Sequence, residues 1–547
     1  MNIRHIVYGC LMGAALISSV SCKDFLVEDP KGQFTTANFL NSVEEVDMAV
    51  CAIYSRVRWS QCSTDPVGMA WQGDDITTNP GSNKGKYANV DAFRPVNTDA
   101  TVTAAWQMRY ALIKACNYVI NYIDEAPVEQ KEKDIAKGQG LYWRAYSHFL
   151  LVREFGPVPV VTDLQPDYDQ EPASIEAVYD RIVKDLTEAI RILPTDYRNS
   201  TQYTNPRSMY DANIYITRQA AQATLCAVYM AMAGYPLNKG AEYYGYAAEQ
   251  AKAVIDGVKS GEYEYELLEN IGQVYSFATP ELNYNNETVV GINFTDAFSW
   301  SEPSSFALSY LFESLGGWGD AWGEYKFWQD YPEGKRKETF YFQKFVEGND
   351  RNEKDPQTGK YNLIDWWETT ECHPMFTIYS INYEDERSAD GVFDCIKPVF
   401  GNDGISSMRS RVIRYAEVLL WYAESQARAD GTPNDLAYEC INRVRNRAGC
   451  DPIPAGLSGE EFAEAAMKEH GWEVAGNFCG LVTRRSDMLR MNLLKDSFDY
   501  RKRNPTVVIE GIEMKEPVTI TGNWTVGETE YFPYPSNDSS LDPNLRK

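Results

Sequence analysis

A run of aromatic residues at positions 314–334, SLGGWGDAWGEYKFWQDYPEG, could form a ligand-binding surface. The aromatic residues that recur near helical spacing are Trp318, Trp322, Tyr325 and Trp328, so a buried helical stripe is one interpretation. Four of the first ten residues are glycines, however, and each costs a helix about 1 kcal/mol relative to alanine. We therefore predict an exposed loop for Trp318 and Trp322, whose flat rings could stack on apolar ligand faces, and a core position for Tyr325 and Trp328.

Two further segments offer candidate ligand contacts. The stretch MAWQGDDITTNPGSNKGKY contains Trp71, Asp74 and Asp75, and the stretch FTDAFSWSEPSS contains Trp300. The alternative for the two aspartates is loop capping and turn formation. Packing is the favoured interpretation for the adjacent pair Trp366-Trp367, because neighbouring side chains point in different directions.

Signatures of catalysis or metal binding are missing from the sequence. No GxSxG, HExxH, P-loop or dinucleotide-binding pattern occurs. A glycoside hydrolase needs two carboxylates about 5–9 Å apart, and with 78 acidic residues the sequence alone does not decide that case. His148, His373 and His470 are far apart, and His148 is predicted to be a core residue. We predict no catalytic residue and no cofactor. A structural calcium ion is an open alternative that no EF-hand pattern supports.

The net charge narrows the classes of partner, and the cysteine spacing bears on disulfide bonding. The chain of 547 residues has 52 basic and 78 acidic residues, a formal net charge of −26. Such a surface repels phosphate backbones and anionic headgroups, which argues against nucleic acid as a partner. The 11 cysteines are scattered without a CxxC pair, so we predict mostly buried free thiols, although Cys440 and Cys450 could pair.

The N-terminus has the pattern of a lipoprotein signal peptide. Arg4 and His5 precede an apolar stretch of about a dozen residues, too short to span a membrane, and small residues then lead to Cys22. We predict cleavage after residue 21 and acylation of Cys22 by several chains, since one chain binds a membrane only marginally. The alternative is an ordinary secretory signal with an incidental cysteine. Lys23-Asp24 is similar to the charged signal that directs some lipoproteins to the outer cell face.

Helical periodicity accounts for much of the remaining chain, and the helices come in pairs. The four predicted pairs join residues 39–57 with 108–123, 141–152 with 175–193, 220–230 with 247–255, and 416–423 with 437–448. Thr36 or Asn38 is the predicted N-cap of the first helix, and Gly431 and Gly449 are suited to left-handed helix ends. Small residues on facing stripes and short turns are typical of tetratricopeptide repeats, although the repeat signature is degenerate.

Irregular segments separate these pairs, at about 58–104, 261–410 and 498–547. The first is predicted only as irregular, and the second as loops with short strands and short helices. The last has alternating patches, TVVIEGIEM and VTITGNWTV, that predict short strands. The predicted fold is therefore mainly α, with a helical scaffold and a loop-rich lobe, and we divide the chain into a signal peptide (1–21), an N-terminal region (22–260) and a C-terminal region (261–547).

Four passages together resemble the SusD/RagB family of surface lipoproteins over nearly the whole chain. They are SCKDFLVEDP followed by FTTANFLNSVEEVDMAVCAIYSRV, then RAYSHFLLVREFGPVPVV, then RYAEVLLWYAESQARADG with CINRVRNRAG, and finally the tail YFPYPSNDSSLDPNLRK. One helix departs from the pattern, since His470 and Val474-Ala475 stand where the family often has Arg and Phe-Glu.

The resemblance implies a function that the residues alone do not. Family members are lipid-anchored at the outer membrane and face outside, bind oligomeric nutrients, most often glycans, and pass them to a SusC-like TonB-dependent barrel without catalysis. The expected ligand contacts are those chosen above from the residues themselves, namely Trp71, Asp74, Asp75, Trp300, Trp318 and Trp322, and no family ligand residue is transferred onto them. The alternatives are a peptide or another nutrient as cargo, a tetratricopeptide adaptor that binds proteins, and a glycoside hydrolase.

Overall fold

The computed structural model describes residues 39–81, 83–164, 167, 169–197, 214–277, 279–294, 305–315, 317–346, 357–358, 363–379 and 407–546. Its α-helices are α1 (Val43–Trp59), α2 (Gly85–Asp91), α3 (Ala100–Tyr122), α4 (Gln130–Phe155), α5 (Ile175–Ile192), α6 (Arg218–Ala233), α7 (Ala241–Ser260), α8 (Pro280–Asn283), α9 (Phe306–Tyr310), α10 (Tyr325–Asp330), α11 (Lys335–Phe340), α12 (Tyr415–Asp430), α13 (Asp435–Ala448), α14 (Gly459–Glu473), α15 (Arg484–Arg490), α16 (Leu494–Arg503) and α17 (Ser536–Leu541). Short 3₁₀ helices cover Asp65–Gln72, Ile123–Glu125, Ile271–Gln273, Glu313–Leu315, Trp366–Glu368 and Pro543–Leu545.

The long helices form a continuous scaffold in which neighbours pack in chain order. Helix α1 packs on α3, α3 on α4, α4 on α5, α5 on α6 and α6 on α7. Helix α12 then packs against α7 and is followed by α13 and α14, which both contact it. All four predicted helix pairs are present as packed pairs, which confirms the mainly α prediction.

Side chains at the helix ends explain where several of these helices begin and end. The hydroxyls of Ser42, Ser174 and Thr217 each accept a hydrogen bond from a backbone N–H of the first turn. The N-cap of α1 is therefore Ser42, and the prediction of Thr36 or Asn38 is wrong. Gly431 and Gly449 have φ values of 72° and 75° at the ends of α12 and α13, as predicted.

The α6–α7 contact depends on small residues. The alanines at this interface are fully or almost fully buried, and they are Ala220, Ala223, Ala227, Ala247 and Ala251. Because no longer side chain separates the two backbones, the helices approach closely and the ridges of one fit into the grooves of the other.

Among the described residues, short strands form four antiparallel pairs. The strands are β1 (Ile76–Thr77), β2 (Thr288–Ile292), β3 (Trp322–Gly323), β4 (Phe345–Val346), β5 (Leu363–Ile364), β6 (Ser410–Arg414), β7 (Val507–Ile509) and β8 (Ile512–Met514). They pair as β1–β3, β2–β6, β4–β5 and β7–β8. The β7–β8 hairpin confirms the first patch predicted near the C-terminus, but residues 518–526 of the second patch contain no strand.

A buried network of charges joins the lobe to the last helices of the scaffold. The carboxylate of Glu473 on α14 accepts hydrogen bonds from Arg336 (Nη1, 2.8 Å), Arg414 (Nη1, 2.7 Å) and Arg447 (Nη2, 2.5 Å). Burial alone would raise the pKa of Glu473, but the guanidinium groups of Arg447, Arg414 and Arg336 lower it to about 2. The network therefore holds α11, β6, α13 and α14 together as long as Glu473 is ionised.

His470 lies next to this network, where the sequence departs from the family pattern. Its Nδ1 is 2.5 Å from Oδ2 of Asp487 on α15, and both side chains are buried. Burial alone would lower the pKa of His470, but the Asp487 carboxylate raises it to about 9. Helix α14 is therefore formed although His470 departs from the family pattern, and this histidine is paired with Asp487.

The described cysteines are free thiols. Four of them are buried, namely Cys116, Cys226, Cys440 and Cys479, while Cys450 is half-buried and Cys51 is exposed. No bond forms between Cys440 and Cys450. His148 is fully buried on α4, where Nδ1 lies 3.0 Å from the Arg144 carbonyl, as its prediction as a core residue requires.

Candidate functional site

The structure brings together the two aromatic segments that the sequence singled out. Strand β1 pairs with β3, so that Thr77 lies opposite Trp322. Asp320 fixes the contact further: its carbonyl accepts a hydrogen bond from Trp71 Nε1 (3.0 Å), and its carboxylate lies 2.7 Å from Lys84 Nζ in a buried ion pair. The segments 71–84 and 318–323 therefore form one structural unit although they are far apart in sequence.

Trp71 forms the floor of this unit and has no face open to a ligand. It is 0% exposed, and its ring stacks between Tyr87 (centroids 4.6 Å apart) and Phe478 (5.5 Å). The expectation of a ligand contact at Trp71 is not compatible with this packing. A 3₁₀ helix of seven buried residues after Asp65 carries the tryptophan inward, and sequence periodicity did not indicate it.

The two neighbouring aspartates have structural partners. Asp74 forms a two-point ion pair with Arg484, with N–O distances of 2.6 and 2.9 Å. Asp75 is buried and accepts a hydrogen bond from the Gly476 N–H (2.9 Å), and burial raises the pKa of this carboxyl to about 7. Both connect the 71–77 segment to the region around α15, which agrees with the structural alternative for these residues rather than with ligand contact.

The two tryptophans of the glycine-rich run have opposite environments. Trp322 is only 7% exposed and packs against His373 (centroids 4.5 Å apart) and Phe312 (6.2 Å), so the prediction of an exposed loop is wrong for this residue. Trp318 is 36% exposed, which confirms the prediction for its side chain. Tyr325 is buried as predicted, and Trp328 is half-buried against Trp366.

A second exposed tryptophan, Trp59, lies outside this unit. It is the last residue of α1, is 39% exposed and lies beside the guanidinium of Arg58 at 5.7 Å. Trp59 was not among the predicted site residues, although a signal was present: position 59 does not belong to the buried stripe Val46, Val50, Ile53 and Val57 of its helix.

Helix α9 connects the two exposed tryptophans. The Cys62 carbonyl, three residues after Trp59, accepts hydrogen bonds from the N–H (3.2 Å) and hydroxyl (3.0 Å) of Ser305, which precedes α9. The Trp318 N–H donates to the Leu308 carbonyl within α9 (2.7 Å). The backbone at Trp318 and the backbone three residues after Trp59 are therefore hydrogen-bonded to α9 or to the residue before it. We call the region around α9 that carries Trp59, Trp318 and Glu313 the α9 face.

One carboxylate lies at the α9 face, and two amides lie in the 71–84 segment that is joined to residues 318–323. Asn83 and Glu313 are exposed, and Asn79 is half-buried at the start of the turn that carries Asn83. Glu313 lies beside the loop of Trp318, since a β-carbon at Gly319 would be 3.4 Å from its Cγ. Flat apolar rings can stack on the apolar faces of a ligand, and a carboxylate beside one of them can accept hydrogen bonds from its hydroxyl groups.

Two of the predicted site residues, Trp300 and Cys22, lie outside the described residues. Within the part of the chain that the structure describes, no group of three or more His, Cys, Asp and Glu side chains could hold a metal ion. Among the same residues, no helix has both the length and the apolar character needed to cross a membrane.

Comparisons with known proteins identify relatives along nearly the whole chain. A family model described as starch-binding and associating with the outer membrane matches residues 24–230, and a SusD family model matches residues 398–547. A SusD-like protein of Bacteroides ovatus is 23% identical, with 97% of this chain and 96% of the relative covered.

Solved structures are similar in fold. A SusD homologue from Bacteroides thetaiotaomicron superposes with a TM-score of 0.70 at 21% identity, covering 93% of this chain and 97% of that one. A surface glycan-binding protein A from the same species, solved in complex with laminarihexaose, gives a TM-score of 0.65 at 17% identity and covers 92% and 98% of the two chains. The two matched family models together span more than half of the sequence, and the chain belongs to the SusD/RagB family.

Proposed function

We propose that this protein binds oligosaccharides at the α9 face and is not an enzyme. The observation that carries the proposal is a pair of exposed tryptophans, Trp59 and Trp318, on chain segments that are both hydrogen-bonded at the short helix α9. A structurally similar glycan-binding protein was solved with laminarihexaose, which supports a glycan as the class of ligand. The description of the N-terminal family model, starch-binding and outer-membrane associating, supports the same class.

The chemistry of the α9 face suits weak, reversible binding. The C–H face of a sugar ring packs on an indole, and each such contact adds about 0.5–1.5 kcal/mol beyond the burial of surface, by analogy with aromatic pairs. Two separate rings on a shallow surface would hold an oligomer at two points without enclosing it. Such binding favours release of the ligand to a partner over long residence.

The proposed partner is a SusC-like, TonB-dependent barrel in the outer membrane. The protein would be held at the outer face of that membrane by acyl chains on Cys22 and would pass its ligand to the barrel. Mass spectrometry of the native protein tests the anchor, since the mature chain should begin at an acylated Cys22. Cys22→Ser should move the protein from the membrane fraction to the soluble fraction. Affinity purification from membranes should then recover a barrel protein together with the unaltered chain.

Isothermal calorimetry with a panel of glucans, other glycans and peptides tests the ligand class. We expect Trp318→Ala and Trp59→Ala each to weaken glycan binding about tenfold, or about 1.4 kcal/mol. Tyr246→Ala is the matched control, because Tyr246 is 38% exposed on the scaffold helix α7 and should leave the affinity unchanged.

Three outcomes would contradict the proposal. Unchanged glycan affinity in both tryptophan variants would show that glycans do not bind at the α9 face. Binding of peptides but not of glycans would show that the cargo is a peptide. Release of shorter oligosaccharides on incubation with the pure protein would indicate a hydrolase.

A further inference from the structure

A small cavity within the fold is surrounded by more positive than negative charge. It lies between α3, α4 and the segment that leads into α15, and its volume of about 30 Å³ has room for one or two water-sized groups. The charged residues that line it are Arg109, Arg153, Arg485 and Glu154. Each of the four is less than 9% exposed.

These charges do not balance. Glu154 accepts a hydrogen bond from Arg109 Nη2 (2.8 Å), which makes one ion pair. Arg153 and Arg485 have no carboxylate within 4 Å among the residues that the structure describes. Their hydrogen bonds go to uncharged acceptors: Arg153 donates to the carbonyls of Phe149 (3.0 Å) and Leu481 (2.8 Å), and Arg485 donates to the carbonyls of Arg153 (2.8 Å) and Glu530 and to Gln72 Oε1 (3.5 Å). The Glu154 carboxylate acts on both guanidinium groups from farther away, and the Glu530 carboxylate, outside the lining, acts on Arg485. The lining therefore carries three positive charges and one negative charge.

Unused hydrogen-bonding groups also line the cavity. The Nε–H groups of Arg109 and Arg485 have no acceptor among the described residues. Two acceptors, Glu154 Oε2 and Gln61 Oε1, likewise have no donor there. Burial lowers the pKa of Arg485 to about 10, which reflects the cost of keeping its charge away from water. Buried charges without a counter-charge are strongly destabilising.

We propose that the cavity binds a small monovalent inorganic anion, chloride, between the guanidinium groups of Arg109, Arg153 and Arg485. Water could accept from the two free Nε–H groups, but it would leave the excess of two positive charges in place. Chloride accepts the same hydrogen bonds and halves that excess. The carboxylate of Glu154 opposes binding and limits the affinity. This site is separate from the α9 face and does not depend on the proposed function.

Crystals of the whole mature chain grown with sodium bromide test the proposal directly. We expect an anomalous bromide peak in contact with the Arg153 and Arg485 guanidinium groups. In solution, thermal unfolding at constant ionic strength should occur about 1–2 °C higher in chloride than in gluconate, as expected when the anion is present at about ten times its dissociation constant.

Variants separate this site from general salt effects. Arg485→Met should abolish the difference between chloride and gluconate, while Glu154→Gln should enlarge it, because the opposing charge is removed without a change in size. Arg94→Met removes an exposed arginine and should leave the difference unchanged. A cavity that holds only water in the bromide crystals, or equal unfolding temperatures in the two salts for both the native chain and Glu154→Gln, would overturn the proposal.

Discussion

Glu473 is the residue whose substitution tests the buried charge network most directly. Glu473→Gln preserves the shape of the side chain and removes its charge, so that Arg336, Arg414 and Arg447 lose a shared counter-charge. Lowering the pKa of this carboxyl from its ordinary 4.5 to about 2 corresponds to about 3 kcal/mol of stability. Removal of one partner from a buried ion pair costs about 3–5 kcal/mol, which agrees with that value.

The pH dependence of this contribution has a definite sign. The folded protein holds the pKa of Glu473 below its unfolded value, so the stabilisation is fully present above pH 4.5 and is lost as the pH falls towards about 2. The native chain should therefore lose stability in acid, and the difference between native and Glu473→Gln protein should shrink over the same range.

Equilibrium urea unfolding at pH 7, followed by tryptophan fluorescence and circular dichroism, measures the effect. Coincident transitions for the two probes are the condition for converting midpoints into free energies. Glu188→Gln is the control, since Glu188 pairs with Arg191 on the surface of α5 and should contribute less than about 0.5 kcal/mol. A loss below about 1 kcal/mol for Glu473→Gln would refute the assignment of the network as a major contributor to stability.

Further predictions concern single positions in the lobe and scaffold, each measured by urea unfolding. Burial raises the pKa of Asp75 to about 7, so the stabilising contribution of its protonated carboxyl is full below pH 4 and is lost as the pH rises through 7. The stability of Asp75→Asn relative to the native chain should therefore increase between pH 4 and pH 7. A stability difference that is independent of pH would contradict this. Gly245→Ala should stabilise α7 by about 0.5–1 kcal/mol, because the nearest atom to the new β-carbon is the Ala429 Cβ at 4.0 Å. Gly234→Ala should lower the free energy of unfolding by about 2 kcal/mol or more, because its β-carbon would be 2.1 Å from the Arg490 carbonyl oxygen. Equal stability of the Gly245→Ala and Gly234→Ala variants would contradict both expectations.

The helical scaffold could be predicted from sequence because its signals are local. Apolar residues at intervals of three and four identify the buried face of each helix, and turn residues identify the ends. The pairing of β2 with β6 had no such signal, since residues 288–292 and 410–414 are more than 100 positions apart. The N-cap was misplaced for a related reason: several residues before Val43 can cap a helix, and only the hydrogen bond from the Glu45 N–H to Ser42 selects one.

The candidate site was predicted only in part, because burial in a loop depends on distant partners. Glycine content correctly argued against a helix around Trp318, but it did not show that Trp322 would pack against Phe312 and His373. Trp71 was misjudged in the same way, since its stacking partner Phe478 lies some 400 positions later. Trp59 was the opposite case, because its position beside a regular buried stripe was readable from the sequence.

The buried contacts that could not be predicted from the sequence also hold the loop of Trp318 in place. The loop that carries it is fixed by backbone hydrogen bonds to α9, by the β1–β3 pairing and by the buried ion pair between Lys84 and Asp320. Two buried side chains also contact or belong to this loop: Trp71 donates to the Asp320 carbonyl, and Trp322 lies in β3. A ligand that stacks on Trp318 would meet a backbone already ordered before binding, so little conformational entropy would be lost there. The buried tryptophans would thus support binding by positioning the exposed one, without contacting the ligand themselves.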